Sequence, residues 1–465
     1  MSSKDGPLWP PVPQLVETVA ASPWFTAGDI VVARAPGRLD VMGGIADYTG
    51  SLVCEMPLKV AAAVAVQTRG DGQLICISAQ TKQALQVSLA QLDTDDPLKV
   101  RALFQGESKW ARYVAGCAWW IGQRTPLGTG VTIAVDSQVP LGGGVSSSAA
   151  VEVATMTALS ALLNVSISPL DLAVACQAVE NHVVGAPCGV MDQVTSAMGQ
   201  EGALIQILCQ RGSDGRPAQV LGELPLPSGC EMLGIYSGVS HDVSGDPYTD
   251  TRVAAFMGEK ILSAADQTHV PGGYLANVCP EKFCANLTHS LPERMTGEVF
   301  IDRYERTADA VTKVDPGKTY MVRAATTHHV LEAQRVRRFV SLIESANSAA
   351  ENEREHALRE AGQLMYESHD SYGQCARLGH PMTDRLVALA KELGPQRGFY
   401  GAKITGGGGG GTVAFFVRAS EQMLADLEQL RQTYQQATGR STTLLRGTSP
   451  GAAAFGTRRL PWGLK

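Results

Sequence analysis

From Ile30 the chain reads IVVARAP, an apolar run closing at Pro36, which predicts a buried strand that ends in a turn. Residues 52–68, LVCEMPLKVAAAVAVQT, continue in β-branched and small apolar residues, and VTIAVDSQVP (131–140) alternates apolar and polar positions, so two further strands are expected. SSSAAVEVATMTALSALL (146–163) then has helical composition and opens on serines, which are good N-caps. Its apolar stretch, Val151–Val165, is interrupted by Glu152 and is shorter than the roughly 20 residues a bilayer span needs, so it reads as a buried helix. A second helix is predicted over Pro169–His182, and a long charged one from Thr327 through Glu360. Residues 267–318 carry Pro, Gly and two cysteines without a clear period and read as an irregular insertion on a lobe surface. Strands and helices mix in both halves, which is an α+β pattern.

A chain of 465 residues exceeds what one hydrophobic core normally organises, so two lobes with a cleft between them are expected. The expected division is a flexible proline-rich arm over 1–26, an N-terminal lobe over 27–230 and a C-terminal lobe over 231–465. Net charge is −6 and no block of Lys or Arg stands out, which argues against nucleic acid or an anionic membrane as the partner. The start, MSSKDGPLWPPVPQ, lacks the basic and apolar regions of a signal peptide, so a cytoplasmic location is expected. Ten cysteines show no metal-like pairing; the nearest two in sequence, Cys279 and Cys284, have no histidine partners nearby at finger spacing, and reduced, mostly buried thiols are expected.

Chemistry concentrates in a few strings. VPLGGGVSSSAAVEVA joins a strand to a helix through Gly142, Gly143 and Gly144 and then Ser146, Ser147 and Ser148. Backbone N–H groups there can face an anion at a helix N-terminus, and no GK[ST] follows, so it is not a Walker loop. ARAPGRLDVMGGIADYTG (33–50) offers the guanidinium of Arg38 and the carboxylate of Asp47, a fair set for a polyol. CQAVENHVVGAPCGVMDQ (176–193) sets Glu180 and Asp192 on either side of a turn, where one acid can hold Mg²⁺ and the other take a proton. Trp110 and Tyr113 in WARYVAG are three apart, on one face if helical, and could bracket an adenine. The tract GAKITGGGGGGTVAFF (401–416) costs much conformational entropy, so its six glycines point to something other than stability.

Together these strings resemble the three ordered motifs of the GHMP kinases, in the form typical of galactokinase-like members, over nearly everything from Ile30 to Phe455. The resemblance implies a ribosomal-protein-S5-like N-terminal lobe and a ferredoxin-like C-terminal lobe. It implies ATP over Pro140 and Gly142–Ser148 with Trp110 and Tyr113 on the adenine side, and Mg²⁺ on Ser148 and Glu180. Asp192 is then the base that faces the sugar, oriented by Arg38, while Asp47, Gly189 and Tyr248 touch the sugar. The signature departs from galactokinases where Gly44 and Ile45 replace Glu and His, side chains associated with the hydroxymethyl end of galactose. Asp40 replaces the usual Asn, and Lys403 stands where many members have Arg. The form GGIADY is similar to the kinase domain of L-arabinokinases, so the expected substrate is L-arabinose, phosphorylated at its anomeric hydroxyl. The competing readings are a galactokinase and a catalytically silent sugar sensor. For oligomeric state a monomer or weak dimer is expected.

Overall fold

Strands β1 (Gly28–Met42) and β2 (Leu52–Thr68) lie antiparallel and are buried along nearly their whole length, which is why they read as continuous apolar runs. The computed structural model describes residues 13–240 and 246–463. The same sheet contains β3 (Gln73–Ser78), β4 (Gln83–Ser88), β5 (Gly130–Ser137), β6 (Ala203–Leu208) and β7 (Gln219–Pro225), and it is completed by the final strand, β14 (Thr457–Trp462). Its order is β14-β1-β2-β5-β3-β4, with β6 beside the first residues of β2 and β7 beyond β6; β3 and β5 are the parallel pair. Four helices form one shared core with it: α2 (Ala111–Gly122), α3 (Ser147–Leu162), α4 (Pro169–Ala178) and α5 (Met191–Met198).

The opening segment departs from expectation. Pro13–Ala21 form helix α1, and Leu15, Val19 and Phe25 are buried against Ile30, Ile75 and Ile77 of the sheet, so residues 13–26 are packed chain; residues 1–12 of the expected arm lie outside the described residues. Leu15 and Val19 are four apart, on one helical face, and that short apolar stripe supplies the burial.

From β8 (Cys230–Tyr236) the chain builds a second sheet. Helix α6 (Asp246–Ala265) follows, then turns, a short antiparallel pair of two-residue strands, β9 (Met295–Thr296) and β10 (Thr319–Tyr320), and helix α7 (Gly297–Tyr304) between them. Phe283, Phe300 and Tyr320 share a core with Met257 of α6, so the segment 267–318 is a packed subdomain, not a surface loop. The predicted helix 327–360 is two helices, α8 (Val322–Ser348) and α9 (Glu351–Gln374). Ala349 and Ala350 are extended, and Glu351 and Glu353 open the new helix where its dipole favours acid. No Gly or Pro marks the break, so the periodicity ran through it. Helix α10 (Pro381–Leu393), β11 (Phe399–Ile404), β12 (Thr412–Arg418), helix α11 (Glu421–Thr438) and β13 (Thr443–Leu445) complete an antiparallel sheet of order β11-β12-β8-β13. Helices α8 and α9 share one core with Leu39, Met42 and Leu52 of the first sheet and Phe416 of the second, so the two sheets are joined through buried side chains. Among the described residues no helix is long and apolar enough to cross a membrane.

Candidate active site

Beyond Pro36 the pairing of β1 with β2 slips at Gly37, and this irregularity turns Arg38 into the cleft. A Cβ at Gly37 would lie 2.8 Å from the carbonyl oxygen of Val145, so only glycine lets β1 approach the glycine-serine loop this closely. Buried Arg38 then donates from Nε to Asp192 Oδ1 at 2.9 Å and from Nη1 to the Gly144 carbonyl at 2.8 Å, tying the predicted base to the predicted phosphate loop. Burial alone would lower the guanidinium pKa, but Asp192, Glu55 and Asp40 outweigh it and raise it. Asp192 stands in the first turn of α5 and is the partly exposed member of the pair.

The two glycine-rich strings interlock. Gly411 has φ +77° and a Cβ there would meet the Gly143 carbonyl oxygen at 2.8 Å, while Thr412 donates its hydroxyl to the same oxygen at 2.7 Å. Gly406, at φ +66°, would put a Cβ 2.7 Å from the Gly144 oxygen. The glycines therefore let one backbone lie on the other beneath the cleft. Ser146 has φ +59°, a strained conformation for a residue with a Cβ, and its buried hydroxyl has no hydrogen-bond partner. Ser146, Ser147 and Ser148 line the cleft with Gly142, Gly143 and Gly144. An orphaned donor beside bare backbone at the start of α3 suits phosphate oxygens.

Glu180 sits on a π-helical turn, Val179–Val184, that ends the helix predicted to run to His182. Its carboxyl accepts from Gln193 Nε2 at 2.6 Å, and burial followed by the nearby Asp192 pushes its pKa up to about 7, against the hydroxyl of Ser148. A serine hydroxyl and a carboxylate side by side on the cleft are a fitting oxygen pair for Mg²⁺, an ion that keeps much of its shell for phosphate and water. Across the cleft Asp47 accepts the Tyr48 N–H at 2.6 Å, and burial followed by Asp192 raises its pKa to about 7, against Arg252. Gly189 is held to glycine by this carboxylate, since a Cβ would lie 1.6 Å from Asp47 Oδ2. Ile45 and Tyr248 line the same cleft.

Three predicted residues stand back from it. Trp110 closes a 3₁₀ turn, Gly106–Trp110, before α2 begins, and its indole N–H donates to Gln83 at 2.9 Å; Tyr113 alone of the two lines the cleft. The helical face that would have paired them starts one residue too late. Pro140 forms the turn under Gly143, and Gly44 lies behind Ile45. The two departures Asp40 and Lys403 are partners: both fully buried, with Lys403 Nζ 2.7 Å from Asp40 Oδ2. Asp40 also accepts the N–H groups of Gly44 and Gly406, at 3.0 and 3.1 Å, joining the sugar-side loop to the glycine turn.

Several residues of the site escaped sequence reasoning. Glu55 lies 3.3 Å from Arg38 Nε without an aligned hydrogen bond, and burial and Asp40 push its carboxyl well above the usual range against the pull of Arg38. Glu152 lies behind Glu180 and is likewise pushed far up by burial. The signal for both was a lone acid inside an apolar run, LVCEMPL and VEVA. Arg252, bidentate to Asp309 and 4.7 Å over the Tyr48 ring, had only Tyr248, a helical turn away, as a local signal.

Family models match three stretches: the galactokinase galactose-binding signature over residues 25–68, the GHMP kinases N terminal domain over 112–200 and the GHMP kinases C terminal domain over 346–436. A galactokinase of Glaesserella parasuis is 30% identical over 87% of this chain and 89% of its own. The chain belongs to the GHMP kinases. Within that family of phosphotransferases it is galactokinase-like. An L-arabinokinase of Arabidopsis thaliana is 38% identical over 93% of this chain, which spans about half (47%) of that relative's length. Lactococcus lactis galactokinase, solved with galactose, shares the fold at a TM-score of 0.71 and 19% identity over 93% of this chain and 95% of its own. A Methanococcus jannaschii mevalonate kinase superposes more loosely, at a TM-score of 0.54 and 14% identity over 91% of this chain and 99% of its own.

Proposed function

We propose that this GHMP kinase is an ATP-dependent sugar 1-kinase whose substrate is L-arabinose, giving L-arabinose 1-phosphate and ADP. The observation that carries the substrate is the wall made by Ile45, with Gly44 behind it, in a cleft whose other side offers Asp47 and Asp192. L-Arabinopyranose matches D-galactopyranose from C1 to C4 and lacks the hydroxymethyl group on C5. A hydroxymethyl facing Ile45 would lose water and gain no partner, a cost of about 1–3 kcal/mol. The 38% identity to an L-arabinokinase supports the same reading.

Asp192 takes the proton of the C1 hydroxyl as that oxygen attacks the terminal phosphorus of ATP, and the bond from phosphorus to the ADP oxygen breaks. Arg38 orients Asp192 through the 2.9 Å hydrogen bond and holds the Gly144 carbonyl away from the incoming phosphates. The backbone of Gly142–Gly144 and the Ser146 hydroxyl receive phosphate oxygens, and Tyr113 borders the nucleotide side. Ser148 and Glu180 would hold Mg²⁺, which when bound neutralises phosphate charge. Ionised Asp47 accepts from ring hydroxyls, and Tyr248 closes the sugar side.

The test is ADP release with L-arabinose, D-galactose, D-galacturonate and D-fucose. The highest kcat/KM is expected on L-arabinose; a preference for D-galactose would overturn the substrate, and silence on every sugar would favour a sensor. Asp192→Asn is expected to lose about 10²–10⁴-fold in kcat with sugar binding retained, and near-normal turnover would remove Asp192 as the base.

A further inference from the structure

We propose that Tyr372 is the positioning residue that sets sugar selectivity in this cleft, an inference that rests on the sugar-kinase reading above. Tyr372 lies on α9, more than 300 positions from the sugar loop in sequence, and is fully buried. Its hydroxyl accepts the N–H of Ile45 at 3.0 Å and donates to the carbonyl of Gly406 at 3.0 Å, so one oxygen spans the sugar loop and the glycine turn. That oxygen also occupies the space a side chain on residue 44 would need. A Cβ built on Gly44 falls 1.7 Å from Tyr372 Oη and 2.9 Å from its ring carbon Cζ. Van der Waals contact starts well beyond those distances, so with Tyr372 present residue 44 has no room for any side chain, polar or not.

The consequence is the pocket wall. With position 44 emptied, the next residue, Ile45, faces the sugar, and it does so on a backbone pinned by the Tyr372 hydroxyl. Ile45 and Tyr248, both lining the cleft, pack in one cluster with Tyr372, Ala376, Leu378 and Ile404. Tyr372 does not itself line the cleft. It acts through Ile45: the wall is apolar and fixed in place, which disfavours a sugar carrying a polar substituent there and admits one that carries only hydrogen.

Selectivity is therefore written in a pair, Gly44 with Tyr372, and changing one alone should fail. The test measures kcat and KM on L-arabinose and D-galactose, with thermal midpoints, for the parent, Gly44→Ala, Tyr372→Phe, Tyr372→Ala and Gly44→Ala/Tyr372→Ala. Gly44→Ala is expected to lower the midpoint strongly in the parent and clearly less in the Tyr372→Ala background, where the strain of φ +45° and a 2.9 Å approach to Asp40 Oδ2 remain. Tyr372→Phe keeps the ring and removes the hydroxyl that pins Ile45. It is expected to raise KM for L-arabinose about tenfold, to change kcat little, and to shrink the preference over D-galactose about tenfold. Equal costs of Gly44→Ala in both backgrounds would overturn the packing claim. Tyr372 variants that lose stability but keep the parent's sugar preference would overturn the selectivity claim, leaving the tyrosine structural. A parent that prefers D-galactose, or uses neither sugar, would instead overturn the substrate reading, and the stability cycle would still decide whether positions 44 and 372 exclude one another.

Discussion

Burial raises the pKa of two carboxyls of the cleft, Asp47 and Glu180, and Asp47 shows the consequence most directly. An unfolded Asp titrates near 4, whereas in the folded chain burial and Asp192 hold Asp47 to about 7. Between those values the folded chain keeps a proton that the unfolded chain gives up. The stability contributed is complete below about pH 4 and is lost as pH rises through 7, with a slope of up to about 1.4 kcal/mol per pH unit. Asp47→Asn keeps an oxygen for the Tyr48 N–H and removes the charge. Without ligand, its melting midpoint should exceed the parent's by roughly 2–5 °C at pH 8, with the gap narrowing as pH falls and closing only below about pH 4. A variant no more stable than the parent at pH 8 would show that Asp47 is not destabilised by its charge. Sugar turnover should fall at least about 100-fold, since the pocket loses the acceptor for which that stability is given up. Residues of this kind were legible in the sequence because each belonged to a short string with its own chemistry: Arg38, Asp47, Glu180 and Asp192. Tyr372 and Arg252 were not. They reach the site across more than 200 residues of chain, and only Arg252 has a residue assigned to the site, Tyr248, within a helical turn of it.

At the scale of elements, the six-glycine tract was legible as costly but its purpose was not, because the purpose lies in the backbone of another motif. Two glycines separate that purpose from ordinary turn chemistry. Gly411 and Gly439 both have left-handed φ, +77° and +69°, but a Cβ on Gly411 meets the Gly143 oxygen whereas one on Gly439 meets open space. Gly439→Ala should therefore cost only the strain of a helix C-cap, about 1 kcal/mol, with KM for ATP unchanged. Gly411→Ala must move the phosphate loop, and a shift of a few tenths of an ångström there should raise KM for ATP at least about tenfold. Steady-state kinetics with ATP varied at saturating sugar would check both, and equal KM values would mean that the interlocked turns do not shape the nucleotide site. Secondary structure was legible where an element is buried along nearly its whole length, as in β2 and α3, whereas β1 runs on to Met42 through the turn expected at Pro36. It failed at Ala349–Ala350, where alanines good for a helix sit in extended backbone because the tertiary core needs two antiparallel helices. It failed again in 267–318, whose apolar residues, Phe283 and Phe300 among them, are spaced by turns and gather only in three dimensions.

The chain as a whole does not divide cleanly at the start of its second sheet. After building β8, β11, β12 and β13 it returns, through Gly451–Phe455, to add β14 to the free edge of β1, pairing Gly28–Ala33 with Thr457–Trp462. Sequence gave no sign of this, since TRRLPW is polar and mostly exposed and its partner lies more than 400 residues away. The return is anchored. Arg34 donates to Ser449 at 2.9 Å and stacks 5.1 Å over Phe455, and Gly451 donates its N–H to the Gly199 carbonyl at 2.7 Å, at the end of the helix that carries Asp192. The last strand thus covers the edge of β1, and β1 carries Arg38 four residues beyond Arg34. A chain ended after Pro450 should leave that edge open, a ready template for pairing with other chains. Its melting midpoint should fall by at least about 5 °C, with light scattering on heating that the full chain does not show. Activity at low temperature should fall less than stability, because Arg38 retains Asp192, Gly144 and Glu55 as partners. A truncated chain with an unchanged midpoint would mean that β14 only decorates the sheet. A chain still folded at low temperature but wholly inactive would mean that the tail holds α5, and with it Asp192, in position.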